Sequence, residues 1–220
     1  MKQRVFNLII LDESGSMSSI ERQAIDGVNE TMQTIRSAQK KHEEQEHFVT
    51  FVSFNSDGIK TIYDKMEADK VDEITDKDYC PACCTPLYDA MGVSLTRLRK
   101  SVANDDVVLV TIITDGYENA SREYNAAAIK SLVESLKSNG WIFTYIGANQ
   151  DVEKVASSIS ITNTLSFSAD AEGTSAMFAR ESKARHRLFG RLANKVSCQM
   201  MADDYFDKDD KDEKKFKPLR

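Results

Sequence analysis

The sequence predicts an α/β fold, doubly wound around a mostly parallel central sheet, with one antiparallel edge strand and helices on both faces. Three observations carry this expectation. The apolar runs at 4–11, 107–114 and 141–148 are nearly continuous, as in strands covered on both sides. Segments with helical apolar spacing stand between them, so strands and helices alternate. The turn residues Ser56-Asp57-Gly58 join 47–55 to the short run IKTIYD, which places a hairpin at one edge of the sheet.

The first strand, 4–11, ends at Asp12. Ser18 and Glu21 have capping-box spacing, the hydroxyl accepting from an early helical amide while the carboxylate reaches back, so a helix is expected over 19–41. Its buried stripe is Ile20, Ala24, Ile25, Val28, Met32, Ile35 and Ala38, and Lys40 and Lys41 suit its negative carboxyl end. After the hairpin, 66–79 is charged and weakly periodic. Thr85-Pro86 then opens a helix over 86–102, with proline where a missing amide costs nothing, and Leu87, Met91, Val93, Leu95 and Leu98 line its inward side. Asn104-Asp105-Asp106 turns into strand 107–114. Helix 123–138 stops at Asn139-Gly140, a pair suited to a left-handed cap, before strand 141–148. A short helix near 151–158, a strand at 163–167 and a long helix beginning after Gly173 complete the order. The last helix offers Ala176, Phe178, Leu188, Leu192, Val196 and Met200 as apolar positions. Residues 1–200 read as a single domain, with its core over 3–168 and its last helix over about 173–200. Over 203–220 charges of both signs interleave around Tyr205, Phe206 and Phe216, and a frayed, flexible tail is expected.

The 220 residues can bury one sizeable core. A net charge of -6 and a pI near 5.2 give little general attraction for nucleic acid or an anionic membrane. The basic positions Arg180, Lys183, Arg185, His186, Arg187 and Arg191 lack interleaved aromatics and read as a solvated helical face. No run reaches the roughly 18 apolar residues needed to cross a bilayer. The amino-terminal apolar run ends at Asp12 without a small-residue cleavage signal, so it is a strand rather than a signal peptide. A soluble, cytoplasmic protein is expected. Cys80, Cys83 and Cys84 crowd one segment and Cys198 lies far away, unlike the even spread of a disulfide scaffold, so reduced thiols are the default. The CPAC spacing invites zinc or a redox pair, but no nearby histidine completes a zinc set, and adjacent thiols alone do not establish a lowered pKa. His42 and His47 flank a charged turn and read as surface residues.

Candidate functional residues stand where strands end, because there side-chain alternation breaks and neighbouring strands present their groups to one crevice. Asp12, Ser14 and Ser16 occupy alternate positions, so an extended loop points all three the same way, and Gly15 relaxes the crowding between the hydroxyls. Asp115, before Gly116, ends a second buried strand with a second carboxylate. Thr85 offers a hydroxyl or a hold on a bound water. Oxygen ligands of this kind suit Mg2+ first, with Mn2+ or Ca2+ as alternatives, and suit zinc poorly. Neutral hydroxyls leave the cation electrophilic, so a coordination position can take an incoming Asp or Glu carboxylate from a protein partner.

These residues resemble the von Willebrand factor type A domain with a metal-ion-dependent adhesion site. The family places D-x-S-x-S after its first strand, a threonine in a later loop and an aspartate after its central hydrophobic strand. Asp12, Ser14 and Ser16 match the first part, Thr85 the second and Asp115 the third. The resemblance spans about 3–168. The TPLYDA and YIGANQD stretches are similar to small bacterial and phage members, including tellurium-resistance-associated type A proteins. Cys84 departs from the pattern, since many relatives carry glycine before the threonine. The resemblance implies a Rossmann-like fold and divalent-metal-dependent binding of a protein ligand, without turnover.

Plainer roles compete for each residue taken singly. Asp12 can simply end a strand; Ser14, Ser16 and Thr85 can cap helices; Asp89 can support the ligands from behind or simply favour the positive end of a helix; Asn149 or Asp151 can start the helix near 151. Tyr117, Glu118 and Asn119 read equally as partner contacts or as a solvent-exposed loop. A metal-dependent hydrolase or phosphotransferase is the enzymatic alternative, though no activated nucleophile, general base, GxxxxGK[ST] loop or GxGxxG signature supports it. A structural domain with a closed metal shell is the third reading. Nucleic acid and membrane insertion are not expected.

Overall fold

Strands that are apolar on both faces need helices on both sides, and the chain supplies them. The computed structural model describes residues 2–194 and 205–206. β1 (Gln3–Asp12), β2 (Gln45–Asn55), β3 (Gly58–Glu67), β4 (Val107–Thr114), β5 (Ile142–Gly147) and β6 (Asn163–Ser166) form one sheet in the order β3-β2-β1-β4-β5-β6. Every neighbouring pair is parallel except β2 with β3, where Asn55 faces Gly58 across the tight turn. α1 (Glu21–Lys41) and α5 (Ala171–Ala193) cover one face; α2 (Leu87–Arg99), α3 (Ala126–Ser138) and α4 (Val152–Ser158) cover the other. This is the doubly wound α/β class that the alternation predicts.

Along β1 the pleat decides which layer each residue serves. Val5, Ile9 and Leu11 pack toward α1 and α5, whereas Phe6, Leu8 and Ile10 pack toward α2 and α3. From β1 the sheet grows outward through β2 on one side and β4 on the other, so a crevice opens above the carboxyl ends of β1 and β4. α1 and α5 come close because Gly27 has no side chain. A Cβ there would lie 2.0 Å from the Phe178 ring.

Several local expectations change. A 3-10 turn, Gly15–Ile20, feeds α1 directly, and no side chain caps the helix; the Ser18–Glu21 capping box does not form, because Ser18 lies inside that turn. α5 begins at Ala171, ahead of Gly173, because Asp170 accepts from the Gly173 amide. Ala176 is therefore exposed while Met177 is buried, and Val196 and Met200 lie outside the described residues. Val93 is exposed on α2 rather than turned inward. β2 starts at Gln45, which carries His47 into the sheet, where it is buried edge-on against Phe189 and bonded to Gln45.

Arg185 is not solvated either: its side chain is fully buried. It donates to the Glu181 carboxylate at 2.6 Å, to Asn7 of β1 at 2.9 Å and to Thr111 of β4 at 2.8 Å. The i, i+4 spacing of Glu181 and Arg185 puts both charges on the sheet side of α5, where burial is tolerable only because each is paired and hydrogen-bonded. Tyr205 adds a hydroxyl that donates to Glu181 at 3.0 Å. Tyr205 and Phe206, read from sequence as anchors in a frayed tail, are buried; the rest of 203–220 lies outside the described residues. Among the described residues no helix is long and apolar enough to cross a membrane.

Candidate metal centre at the carboxyl ends of β1 and β4

The five predicted residues reach one crevice from three loops. Asp12 is the last residue of β1, and its Oδ1 accepts the Ser14 amide at 2.8 Å. That bond turns the chain so that the Ser14 hydroxyl lies 3.2 Å from the Ser16 hydroxyl. Ser16 in turn donates to Asp115 Oδ1 at 2.6 Å, which links the first loop to the end of β4. Thr85 arrives from the third loop. A Cβ added to Gly116 would lie 3.6 Å from both the Ser16 and the Thr85 hydroxyl, so these two oxygens flank the same glycine. Thr85 does not cap α2; Pro86 holds the cap position, without a side-chain bond.

Asp12, Ser14, Thr85 and Asp115 are buried, whereas Ser16 is exposed. The crevice is therefore enclosed below and reached from the Ser16 side. Burial pushes the Asp12 carboxyl up to about 6, against the opposing hydrogen bonds from Thr114 and Ser14, and the Asp115 charge adds to the rise. Burial also raises Asp115, although its bond from Ser16 opposes this. Among the described ion pairs none involves either aspartate. Two desolvated carboxylates thus share a crevice in which, among the described residues, neither is paired with a basic side chain. Among the described residues no three His, Cys, Asp or Glu side chains gather to hold a metal, so a cation here must be taken by hydroxyl oxygens together with two carboxylates. That donor set fits a hard ion.

A second ring of residues holds these oxygens in place. Thr114 donates to Asp12 Oδ2 at 2.6 Å, and the Tyr79 hydroxyl donates to the Asp12 carbonyl at 2.6 Å. Asn119 clamps Thr85: its side chain accepts the Thr85 amide at 2.9 Å and its own amide donates to the Thr85 carbonyl at 3.1 Å. Glu118 accepts from the amides of Tyr88, Ala120 and Ser121. Asp89 accepts from those of Arg122, Glu123 and Tyr124, so it braces the loop after β4 and does more than favour a helix end. Sequence reading missed Thr114, whose faint signal is the polar end of an apolar strand, and Tyr79, which had none; Glu118 and Asn119, read as partner contacts or exposed loop, serve instead as loop clamps, which follow no period. Asp151 caps α4 through the Lys154 amide, and the exposed Tyr117 takes the Asp151 amide at 3.4 Å.

Solved structures share this architecture at low sequence identity. The von Willebrand factor type A protein from Catenulispora acidiphila is 15% identical, with a TM-score of 0.61 over 84% of this chain and 43% of that one. This is the von Willebrand factor type A fold. The same type A fold relates the chain to the PilB minor pilin from Streptococcus sanguinis, in its D319A form, at 14% identity and a TM-score of 0.61, covering 89% of this chain and 64% of that one. It also matches the manganese-loaded Plasmodium vivax TRAP protein at 15% identity and a TM-score of 0.53, over 80% and 72%. The chain thus spans less than two thirds of the length of the first two proteins. No sequence-family model matches it, and no curated protein gives a significant match.

Proposed function

We propose that the protein is a divalent-metal-dependent protein-binding module. Asp12, Ser14, Ser16, Thr85 and Asp115 hold one hard cation, Mg2+ foremost, with Mn2+ and Ca2+ as alternatives. The observation that carries this reading is the pair of buried carboxylates, without a basic partner among the described residues, bonded into a chain of hydroxyls above the sheet. When bound, the ion supplies an electrophilic position for an Asp or Glu carboxylate of the partner.

The chain's own groups do the rest. Thr114 and the Ser14 amide fix the Asp12 carboxylate, Asn119 keeps Thr85 in the crevice, and exposed Ser16 leaves one side open to a partner. The role is binding without turnover. The manganese-loaded protein that shares the type A fold supports the choice of ion class. Free, exposed Cys80, Cys83 and Cys84 fit the reducing cytoplasm proposed for it.

Calorimetric titration with Mn2+ tests the reading. One site per chain is expected, lost in Asp12→Ala and in Asp115→Ala while far-ultraviolet circular dichroism stays unchanged. A short acetylated peptide carrying one Asp should then bind in Mg2+ and be released by chelator. Absence of ion uptake, or uptake indifferent to both substitutions, overturns it.

A further inference from the structure

The CPACC segment contributes no ligand, yet it frames the metal loop. The Ala82 amide donates to the Glu13 carbonyl at 2.8 Å, the Gly15 amide to the Cys83 carbonyl at 3.0 Å, and the Cys80 amide to the Glu13 carboxylate at 2.6 Å. On its other side the segment is tied to the hairpin turn, where the Ser56 amide donates to the Cys84 carbonyl at 3.0 Å. Cys83 holds a left-handed backbone, with φ of 64°, which costs energy for a residue with a side chain.

All three thiols are free and exposed. They face different partners: the Cys80 thiol donates to the Asp76 carbonyl at 2.9 Å and the Cys83 thiol to Asp57 Oδ2 at 3.2 Å. A bridge must draw both thiols off these acceptors and close a ring across Pro81 and Ala82, whose amide holds Glu13. That ring carries the Ala82 amide and ends at the Cys83 carbonyl, which hold Glu13 and Gly15 on either side of Ser14.

We propose that Cys80 and Cys83 are a thiol modification site, whose reversible disulfide loosens the Ser14–Ser16 loop and lowers its hold on the ion. The effect on the ion rests on the metal reading above; the effect on the loop does not. A low-molecular-weight disulfide, RSSR, is the oxidant. One cysteine thiolate attacks a sulfur of RSSR, forming a Cys–S–S–R bond and expelling RS⁻. The second cysteine, its proton lost to solvent, attacks the cysteine sulfur of that mixed disulfide and expels the second RS⁻. Two thiols are oxidised to one disulfide, and RSSR is reduced to two RSH.

The full chain is treated with oxidised glutathione, and the bridge is identified by peptide mapping, which separates it from any bridge to Cys198. Amide exchange at Gly15 and Mn2+ affinity are measured before and after. A Cys80–Cys83 bridge, faster Gly15 exchange and a roughly threefold to tenfold weaker Mn2+ affinity are expected, from the loss of about one hydrogen bond's net contribution. All three changes should reverse with a thiol reductant, vanish in Cys80→Ser and Cys83→Ser, and persist in Cys84→Ser. No Cys80–Cys83 peptide, or a bridge that leaves Gly15 exchange unchanged, overturns the inference. If the reduced protein takes up no Mn2+, the metal reading fails and control of the ion fails with it, while Gly15 exchange still reports the loop.

Discussion

Asp12 carries the clearest electrostatic signature in the crevice. Its carboxyl is raised from 3.8 to about 6, so the folded protein holds that proton more tightly than the unfolded chain does. Stability from this group is therefore present at low pH and is lost as pH rises from about 4 to about 6, by on the order of 2 to 3 kcal/mol without metal. In chelator, Asp12→Asn should gain stability relative to the native chain across that window, as read by urea unfolding at several pH values. A difference that does not vary with pH would contradict the burial argument. Ion binding should follow the opposite course, strengthening as pH rises through about 6, because a cation and a proton compete for the same carboxylate. Thr114→Val removes a donor to Asp12 and should move the pH of half-maximal Mn2+ binding upward, a change that a purely structural role for Thr114 would not produce. His47 works in the reverse sense. Burial lowers its pKa from 6.5 to about 3, so the unfolded chain takes up the proton first and stability falls as pH drops below about 6.5. That burial was hidden in the sequence, where His47 stands beside a charged turn and nothing marks β2 as beginning two residues earlier.

At the scale of elements, the layer of α1 and α5 depends on one missing side chain and one buried ion pair. Gly27→Ala would drive a methyl group into the Phe178 ring and should cost roughly 1–3 kcal/mol in urea unfolding, a penalty that shrinks in a Phe178→Leu background. Arg185→Met leaves Glu181 buried without its cation and should cost about 3–5 kcal/mol, whereas pairing it with Glu181→Leu should restore much of the loss. If the double variant is no better than the single, the charges are not compensating each other. The elements themselves were legible, since periods of 3.6 and continuous apolar runs identify helices and buried strands. Their faces were less so. Arg185 reads as one more basic residue until Asn7 and Thr111, polar positions on otherwise apolar strands, are found beneath it, and that match between distant segments has no local signature.

For the whole molecule, strand order turns separate sequence fragments into one site. Asp12 and Asp115 are far apart in the chain, but β1 and β4 are neighbours at the point where the sheet grows in opposite directions, so their ends share a crevice. The sequence disclosed the ligand candidates because each sits at the end of an apolar run or in a short alternating loop. It did not disclose Tyr79, nor that Asn119 clamps Thr85, because residues that brace loops through backbone groups need no recurring spacing. The central claim is that the crevice holds one hard ion with an outward position for a partner carboxylate. A crystal structure grown in Mn2+ without chelator measures this most directly, by the anomalous signal of the ion. The account predicts one peak above β1 and β4, within roughly 2.0–2.2 Å of the Ser14 and Ser16 hydroxyls, with a replaceable water or carboxylate on the solvent side. A crevice without such a peak, or a peak enclosed by protein oxygens on every side, would contradict it.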